Sequence, residues 1–92
     1  SLPKNIEIIQ NFAFRTNQIE ILDLSNCIKL KEIKDASFGN NPLKEIKILD
    51  NIEIEYHDNN DIWNKFVICY LKNNKKSGDY KLENNEWKWY PL

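Results

Sequence analysis

The sequence predicts a stacked-repeat α/β fold with mostly short parallel strands, about two 24-residue units closed by a C-terminal α-helix and β-hairpin. Three observations predict it. The first is the stretch Ile19 to Leu30, whose apolar residues Ile19, Leu22, Leu24, Cys27 and Leu30 follow neither a helical nor a strand period. The second is that this pattern recurs at one fixed interval: Ile6 falls on Leu30, Ile9 on Ile33, Phe14 on Phe38, Ile19 on Leu43, Leu22 on Ile46 and Leu24 on Ile48. Dense self-similarity at a fixed period of about 20 to 50 residues marks units that bury their apolar faces only against each other. The third is a change of composition after Ile54, where a helical period and an aromatic-rich alternation replace the repeat.

Along the chain, residues 1–57 hold the repeats, the N-terminal one incomplete, and residues 58–92 hold the cap. Ile6-Glu7-Ile8-Ile9 suits a short β-branched strand. In Ile19 to Ser25 the period of two turns Leu22 and Leu24 inward and Ile21, Asp23 and Ser25 outward. Asn26-Cys27 makes a corner, and Gly39 stands where a left-handed residue is expected after the turn at Ala36-Ser37-Phe38. In the next strand Ile46 and Ile48 turn inward, while Glu45, Lys47 and Leu49 turn outward. In-register stacking then puts Asp23 beside Lys47, an opposite-charge pair that contributes about 0.2–1 kcal/mol.

His57, at the position held earlier by Ile9 and Ile33, signals the end of the stack. Asp58-Asn59-Asn60-Asp61 reads as a run of cap residues. Ile62, Trp63, Phe66, Val67, Cys69, Tyr70 and Leu71 recur at spacings of three and four, which predicts an amphipathic helix over about 61–71. Tyr80 to Leu82 and Trp87 to Tyr90 alternate around Glu83-Asn84-Asn85-Glu86, which predicts a hairpin over about 79–90. An aromatic helix and hairpin after the last repeat supply the cover that the open end of a stack requires.

Composition narrows the function. With 41% hydrophobic residues, 29% charged residues and a net charge of −1 over 92 residues, the chain is one domain or less. Lys, Asp and Glu are interspersed, without the basic stripe that nucleic acid requires or a polybasic membrane anchor. No apolar run approaches the roughly 18 to 20 residues of a membrane span, and Ser1-Leu2-Pro3 leads into the repeat pattern without a signal-peptide profile. The lack of any Met and the start partway through a unit lead us to expect a piece of a longer protein.

The residues carry little chemistry. Cys27 and Cys69 form neither a disulfide framework nor a metal motif. His57, between Glu55 and Asp58, has the neighbours of a general base, yet its place at the end of the stack explains it. The oxygen-rich run Asp58 to Asp61 lacks the glycine and distant Glu of a calcium loop, and the two glycines cannot build a phosphate cradle. No catalytic residue, metal ligand or cofactor is assigned.

Two surfaces remain. The outward strand face of Ile21, Asp23, Ser25, Glu45, Lys47 and Leu49 is a candidate protein-binding surface. Tyr80, Trp87 and Trp89 are candidate sugar-stacking residues, since flat aromatic faces suit sugar rings. The first rung also leaves Ile6, Ile9, Leu22 and Leu24 uncovered on one side, which predicts self-association through that edge or poor order in residues 1–5.

These residues resemble the BspA-type bacterial leucine-rich repeat. Its pattern is met by Ile6, Ile9, Ala13-Phe14, Ile19, Leu22 and Leu24, and again by Leu30, Ile33, Ser37-Phe38, Leu43, Ile46 and Ile48. Trp63-Asn64-Lys65-Phe66-Val67, Tyr70, Asn74 to Tyr80 and Trp87 resemble the helix-and-hairpin module that often ends such proteins. The chain departs from the pattern at Ser25 and Leu49, where a Pro is usual, and at Gln10 and Lys34, where a Gly is usual. The resemblance implies a leucine-rich-repeat solenoid and a non-enzymatic protein-interaction or adhesion scaffold. It also implies a secreted or cell-surface bacterial setting and a protein partner.

Overall fold

The computed structural model describes residues 3–11, 13–35, 37–56 and 61–92. Seven strands and one helix follow in order: β1 (Ile8–Ile9), β2 (Ile21–Asp23), β3 (Glu32–Ile33), β4 (Glu45–Ile48), β5 (Glu53–Ile54), α1 (Ile62–Lys72), β6 (Gly78–Glu83) and β7 (Glu86–Tyr90). They form two sheets. The narrower one is parallel, in the order β1-β3-β5; the wider one is mixed, in the order β2-β4-β6-β7.

The sequence period has a physical counterpart in the pairing. Ile8 lies opposite Glu32 and Ile21 opposite Glu45, each pair separated by one full period. The next parallel pairing departs from it: Glu32 meets Glu53, where a full period leads to Tyr56. Among the described residues no third parallel strand follows in the wider sheet: β6 pairs with β4 in the antiparallel sense and turns back into β7. The expected leucine-rich-repeat solenoid is therefore not the fold. The chain is a small mixed α/β domain with two sheets and one helix. A solenoid requires each unit to contact only copies of itself; here one side of β4 is occupied by a strand from outside the periodic stretch.

Three local features show how backbone geometry is met. The left-handed residue after the Ser37-Phe38 turn is Asn40 (φ 57°), not Gly39, and Thr16 (φ 58°) takes the same conformation one period earlier. Asn tolerates this region through its short polar side chain. The β6–β7 loop is Asn84-Asn85, both at positive φ (51° and 64°) between paired Glu83 and Glu86. That is a type I′ turn, whose twist matches the flanking strands. Asp61, extended at φ −64° and ψ 142°, starts the helix, and Lys72 lies in its last turn near the negative dipole end.

One apolar cluster runs through the molecule, from Ile9, Leu22 and Leu24 through Phe38, Ile46 and Ile48 to Trp63, Phe66, Tyr70, Tyr80 and Trp87. Phe14 stacks on Phe38 at 5.2 Å, and Phe38 meets Trp63 at 5.1 Å. Phe66 then touches Trp63, Tyr70, Tyr80 and Trp87 with ring centroids 5.2 to 5.9 Å apart. The helix is tied to the strands at a second point. The Tyr70 hydroxyl donates to the Leu49 carbonyl at 2.7 Å and accepts from the Ile52 N–H at 3.1 Å. Burial pushes its pKa up to about 12.

Candidate functional site

The pairing register decides which side chains share the open face of the wider sheet. Ile21 lies opposite Glu45, Glu45 opposite Lys81 and Lys81 opposite Lys88. Two residues along, Asp23 lies opposite Lys47, Lys47 opposite Asp79 and Asp79 opposite Tyr90. Because side chains alternate across a pleated strand, these eight residues form two rows on one surface. The intervening Leu22, Ile46 and Tyr80 turn into the core, and Trp89 opposite Tyr80 is half-buried on that same side. Alternating charge along the second row, Asp23, Lys47 and Asp79, stabilises the pairing that displays it.

The sequence-derived residues distribute unevenly on this surface. Ile21 is 63% exposed, and Asp23, Glu45 and Lys47 stand beside it in the rows. Ser25 lies in the turn after β2, with its N–H bonded to the Asp23 carboxylate at 2.9 Å. That bond and the one from the Ser25 hydroxyl hold the Asp23 carboxyl below its usual range. Leu49 does not belong to the face: it packs against the core while the Tyr70 hydroxyl holds its carbonyl.

Four residues of the face were not anticipated: Asp79, Lys81, Lys88 and Tyr90. The strands carrying them were expected as a separate end cap, whereas β6 continues the same sheet. Their signal was present, since Asp79 and Lys81 repeat the alternating charge of Glu45 and Lys47 at the strand period.

The electrostatics of the face are local. A hydrogen bond with Asp79, followed by burial, raises the Glu45 carboxyl above its usual range. Lys81 lies 3.9 Å from the Asp79 carboxylate and 5.4 Å from the Tyr90 ring centroid. The Tyr90 hydroxyl donates to Glu83 at 2.7 Å, and that contact raises its pKa. The six charges in the two rows (Asp23, Glu45, Asp79 against Lys47, Lys81, Lys88) sum to zero. The face is therefore a mixed-charge surface flanked by Ile21 on one edge and Tyr90 on the other.

The sugar-stacking set does not form a surface. Tyr80 is fully buried with its hydroxyl on the Lys76 carbonyl at 2.7 Å, and Trp87 is 9% exposed against Phe66. Trp89 is half-buried: its indole N–H donates to the Ser77 carbonyl at 3.0 Å, and the Lys76 ammonium sits 3.9 Å from the ring centroid. Aromatic weight at this end fills the core and leaves no stacking platform.

Reactive chemistry is not assembled around the remaining candidates. Burial raises the pKa of both Cys27 and Cys69, the opposite of what activates a thiolate. Among the described residues no group of three or more His, Cys, Asp or Glu side chains is placed to hold a metal ion. His57 and Asp58 to Asn60 lie outside the described residues, as do Ser1 and Leu2 of the segment 1–5 for which poor order is the alternative expectation. No helix among the described residues is long and apolar enough to cross a membrane. An open groove of about 290 Å³ between α1 and the hairpin is bordered by Lys65, Ile68, Cys69, Lys72 and Trp87.

No family model, curated protein or solved structure matches the chain.

Proposed function

We propose that this chain is a non-enzymatic protein-interaction module that contacts a protein partner through the open face of its wider sheet. The observation that carries the reading is the pair of registered rows, Ile21-Glu45-Lys81-Lys88 and Asp23-Lys47-Asp79-Tyr90, on one continuous surface. Mixed charge of this kind favours specificity and orientation over raw affinity. Exposed Ile21 and Tyr90 supply the apolar contacts that an interface requires beside its polar rim.

Size bounds the interaction. Four strands about 4.8 Å apart, each contributing about four residues at 3.3 Å, span roughly 19 by 13 Å. That is well under the roughly 800 Å² per partner of a standard interface. Contact through this face alone is of the transient class.

Affinity capture from native extract tests the reading, comparing wild type with the face variants Lys81→Glu, Lys88→Glu and Tyr90→Ala. Lys65→Glu and Lys72→Glu, on the helix, serve as controls. Partners retained by the helix variants and lost by the face variants are the expected result. Equal capture by all five variants would sink the proposal.

A further inference from the structure

The same sheet ends abruptly at β2, and its backbone shows what that edge can accept. Leu24 donates its N–H to the Lys47 carbonyl at 2.7 Å, and the Glu20 carbonyl accepts from the Lys44 N–H at 2.7 Å. In a parallel pair, alternate residues bond to the same neighbour, so Glu20, Leu22 and Leu24 face β4 while Ile21 and Asp23 face away. Among the described residues, no turn or loop hydrogen bond takes up the main-chain N–H or C=O of Ile21 or Asp23. The edge of β1 is open in the same sense. The Glu7 and Ile9 carbonyls accept from Lys31 and Lys34, both at 2.8 Å, leaving the Ile8 main-chain groups turned outward. At the opposite margin of the wider sheet, β7 carries Lys88 and is followed by Pro91, two devices that discourage further pairing.

Side chains at the β1/β2 edge are also arranged for a neighbour. Asn41, 4% exposed, accepts the Asn17 and Ile19 N–H groups at 3.1 and 3.2 Å and donates to the Phe14 carbonyl at 2.9 Å, stitching one turn to the preceding one. Asn17, its counterpart one period earlier, makes the within-turn part of this pattern, donating to the Phe14 carbonyl at 3.0 Å. Its Oδ1 has no partner among the described residues. Phe14 lies with one face on Phe38, and Ile6, Phe14 and Ile19 are half-buried where their later counterparts Leu30, Phe38 and Leu43 are buried.

Charge identifies the occupant. Glu7 meets Lys31 at 3.6 Å, Glu20 meets Lys44 at 3.0 Å, and Asp23 lies opposite Lys47. Each acid of the edge is thus met by a lysine on its inner side and, among the described residues, by none on its outer side. A second copy fits poorly: two-fold pairing of β2 with itself offers Glu20 and Asp23 only the stretch Ile19 to Asn26, which carries two acids and no lysine. Stacking one copy on the far side of β4 in another is blocked by β6.

We infer that the β2 edge, with β1 beside it, takes an added parallel strand: an extended, lysine-bearing segment of a protein partner. The inference rests on the reading of the chain as a protein-interaction module and names the partner's chemistry. Strand addition supplies main-chain hydrogen bonds for affinity, and alternate side chains supply selectivity.

The chain's own residues 41–50 are the natural template, since Lys44 and Lys47 already match Glu20 and Asp23 from the inner side. The probe is a fluorescent synthetic peptide of that sequence, titrated by anisotropy against the intact protein. A second peptide carries K44E and K47E. The first peptide is expected to bind at least about tenfold more tightly than the second, and more weakly as salt rises. Ile21→Pro removes an outward N–H without touching the β2–β4 ladder and is expected to abolish binding with the circular dichroism spectrum unchanged. Should that variant misfold, Glu20→Lys with Asp23→Lys is expected to reverse the preference, binding the glutamate peptide instead.

Equal binding of both peptides, or full binding by a folded Ile21→Pro protein, overturns the inference. So does a dimer that Ile21→Pro disperses while neither peptide binds, which would assign the edge to a second copy. Lys81→Glu and Tyr90→Ala separate the two proposals. Loss of partner capture in these variants without any peptide binding leaves the interaction face standing and removes the edge; peptide binding with capture unaffected does the reverse.

Discussion

Asn41 shows how much one polar side chain can hold in place. Its carboxamide takes up Asn17 and Ile19 N–H groups and donates toward the Phe14, Phe38 and Gly39 carbonyls. Asn41→Ala leaves several of these backbone groups unpaired, each costing about 1–3 kcal/mol when buried. A loss of at least about 3 kcal/mol is expected in urea unfolding, with Asn41→Asp intermediate because it keeps the acceptor and loses the donor. Glu45 makes a pH-dependent prediction at the same scale. Its carboxyl is raised by Asp79, so its stabilising contribution is present below its ordinary value of about 4.3 and is lost as pH rises through the raised one. Glu45→Gln stays neutral and keeps a hydrogen-bond donor toward Asp79. It is expected to melt above wild type near neutral pH, with the difference vanishing below about pH 4. Asp23 has the opposite sign: hydrogen bonds from Ser25 lower its pKa. Asp23→Asn should melt below wild type at neutral pH and converge with it as acid protonates the native carboxylate.

Between elements, the decisive contact is where the hairpin folds over its own first residue. A Cβ on Gly78 would collide with the Trp89 indole and lie 2.9 Å from the Tyr90 carbonyl oxygen. The absence of a side chain at Gly78 lets Trp89 lie across β6 and reach the Ser77 carbonyl. Gly78→Ala is expected to destabilise by about 1–3 kcal/mol, the range for forcing extra volume into a packed site, and to change the tryptophan emission as Trp89 is displaced. The helix and the hairpin were legible because their periods are strong: Trp63, Phe66, Val67 and Tyr70 mark a helical stripe, and Asn84-Asn85 marks a two-residue turn. The parallel register was legible too, from Leu22 over Ile46 and Asp23 beside Lys47. Illegible was the destination of the hairpin. Alternation says which face of a strand is apolar but not which edge it will join, and Lys81 opposite Glu45 is a pairing between segments far apart in sequence. That single unread contact turned a two-strand surface into a four-strand one. It also carried Tyr80 and Trp87, two of the three candidate sugar-stacking residues, into the core. Asn41 was missed for a different reason: an asparagine before a proline reads as a turn residue, and nothing local reveals that its amide crosses to the preceding turn.

At the scale of the whole molecule, the period suggests units that open one at a time, whereas the packing makes the chain one cooperative body. Stacked arrays are stabilised by nearest-neighbour interfaces, so their ends fray independently. Here Phe66 on α1 touches Trp63, Tyr70, Tyr80 and Trp87, while the same cluster includes Leu22 and Ile9 at the opposite end of the sequence. At roughly 0.1 kcal/mol per residue the fold is worth about 9 kcal/mol, and Phe→Ala in a packed core costs about 3–5 kcal/mol. Phe66→Ala therefore removes about a third to a half of the total stability from a position outside all three parallel pairings. Far-ultraviolet circular dichroism follows all elements, whereas tryptophan fluorescence follows only Trp63, Trp87 and Trp89 in the C-terminal third. In one cooperative body the two signals move together, so the urea transitions of wild type and of Phe66→Ala should coincide by both probes, with the variant's midpoint shifted down. A fluorescence transition that moves alone, with strand signal surviving to the wild-type midpoint, would show that residues before Asp61 fold without the helix and that the molecule is two bodies rather than one.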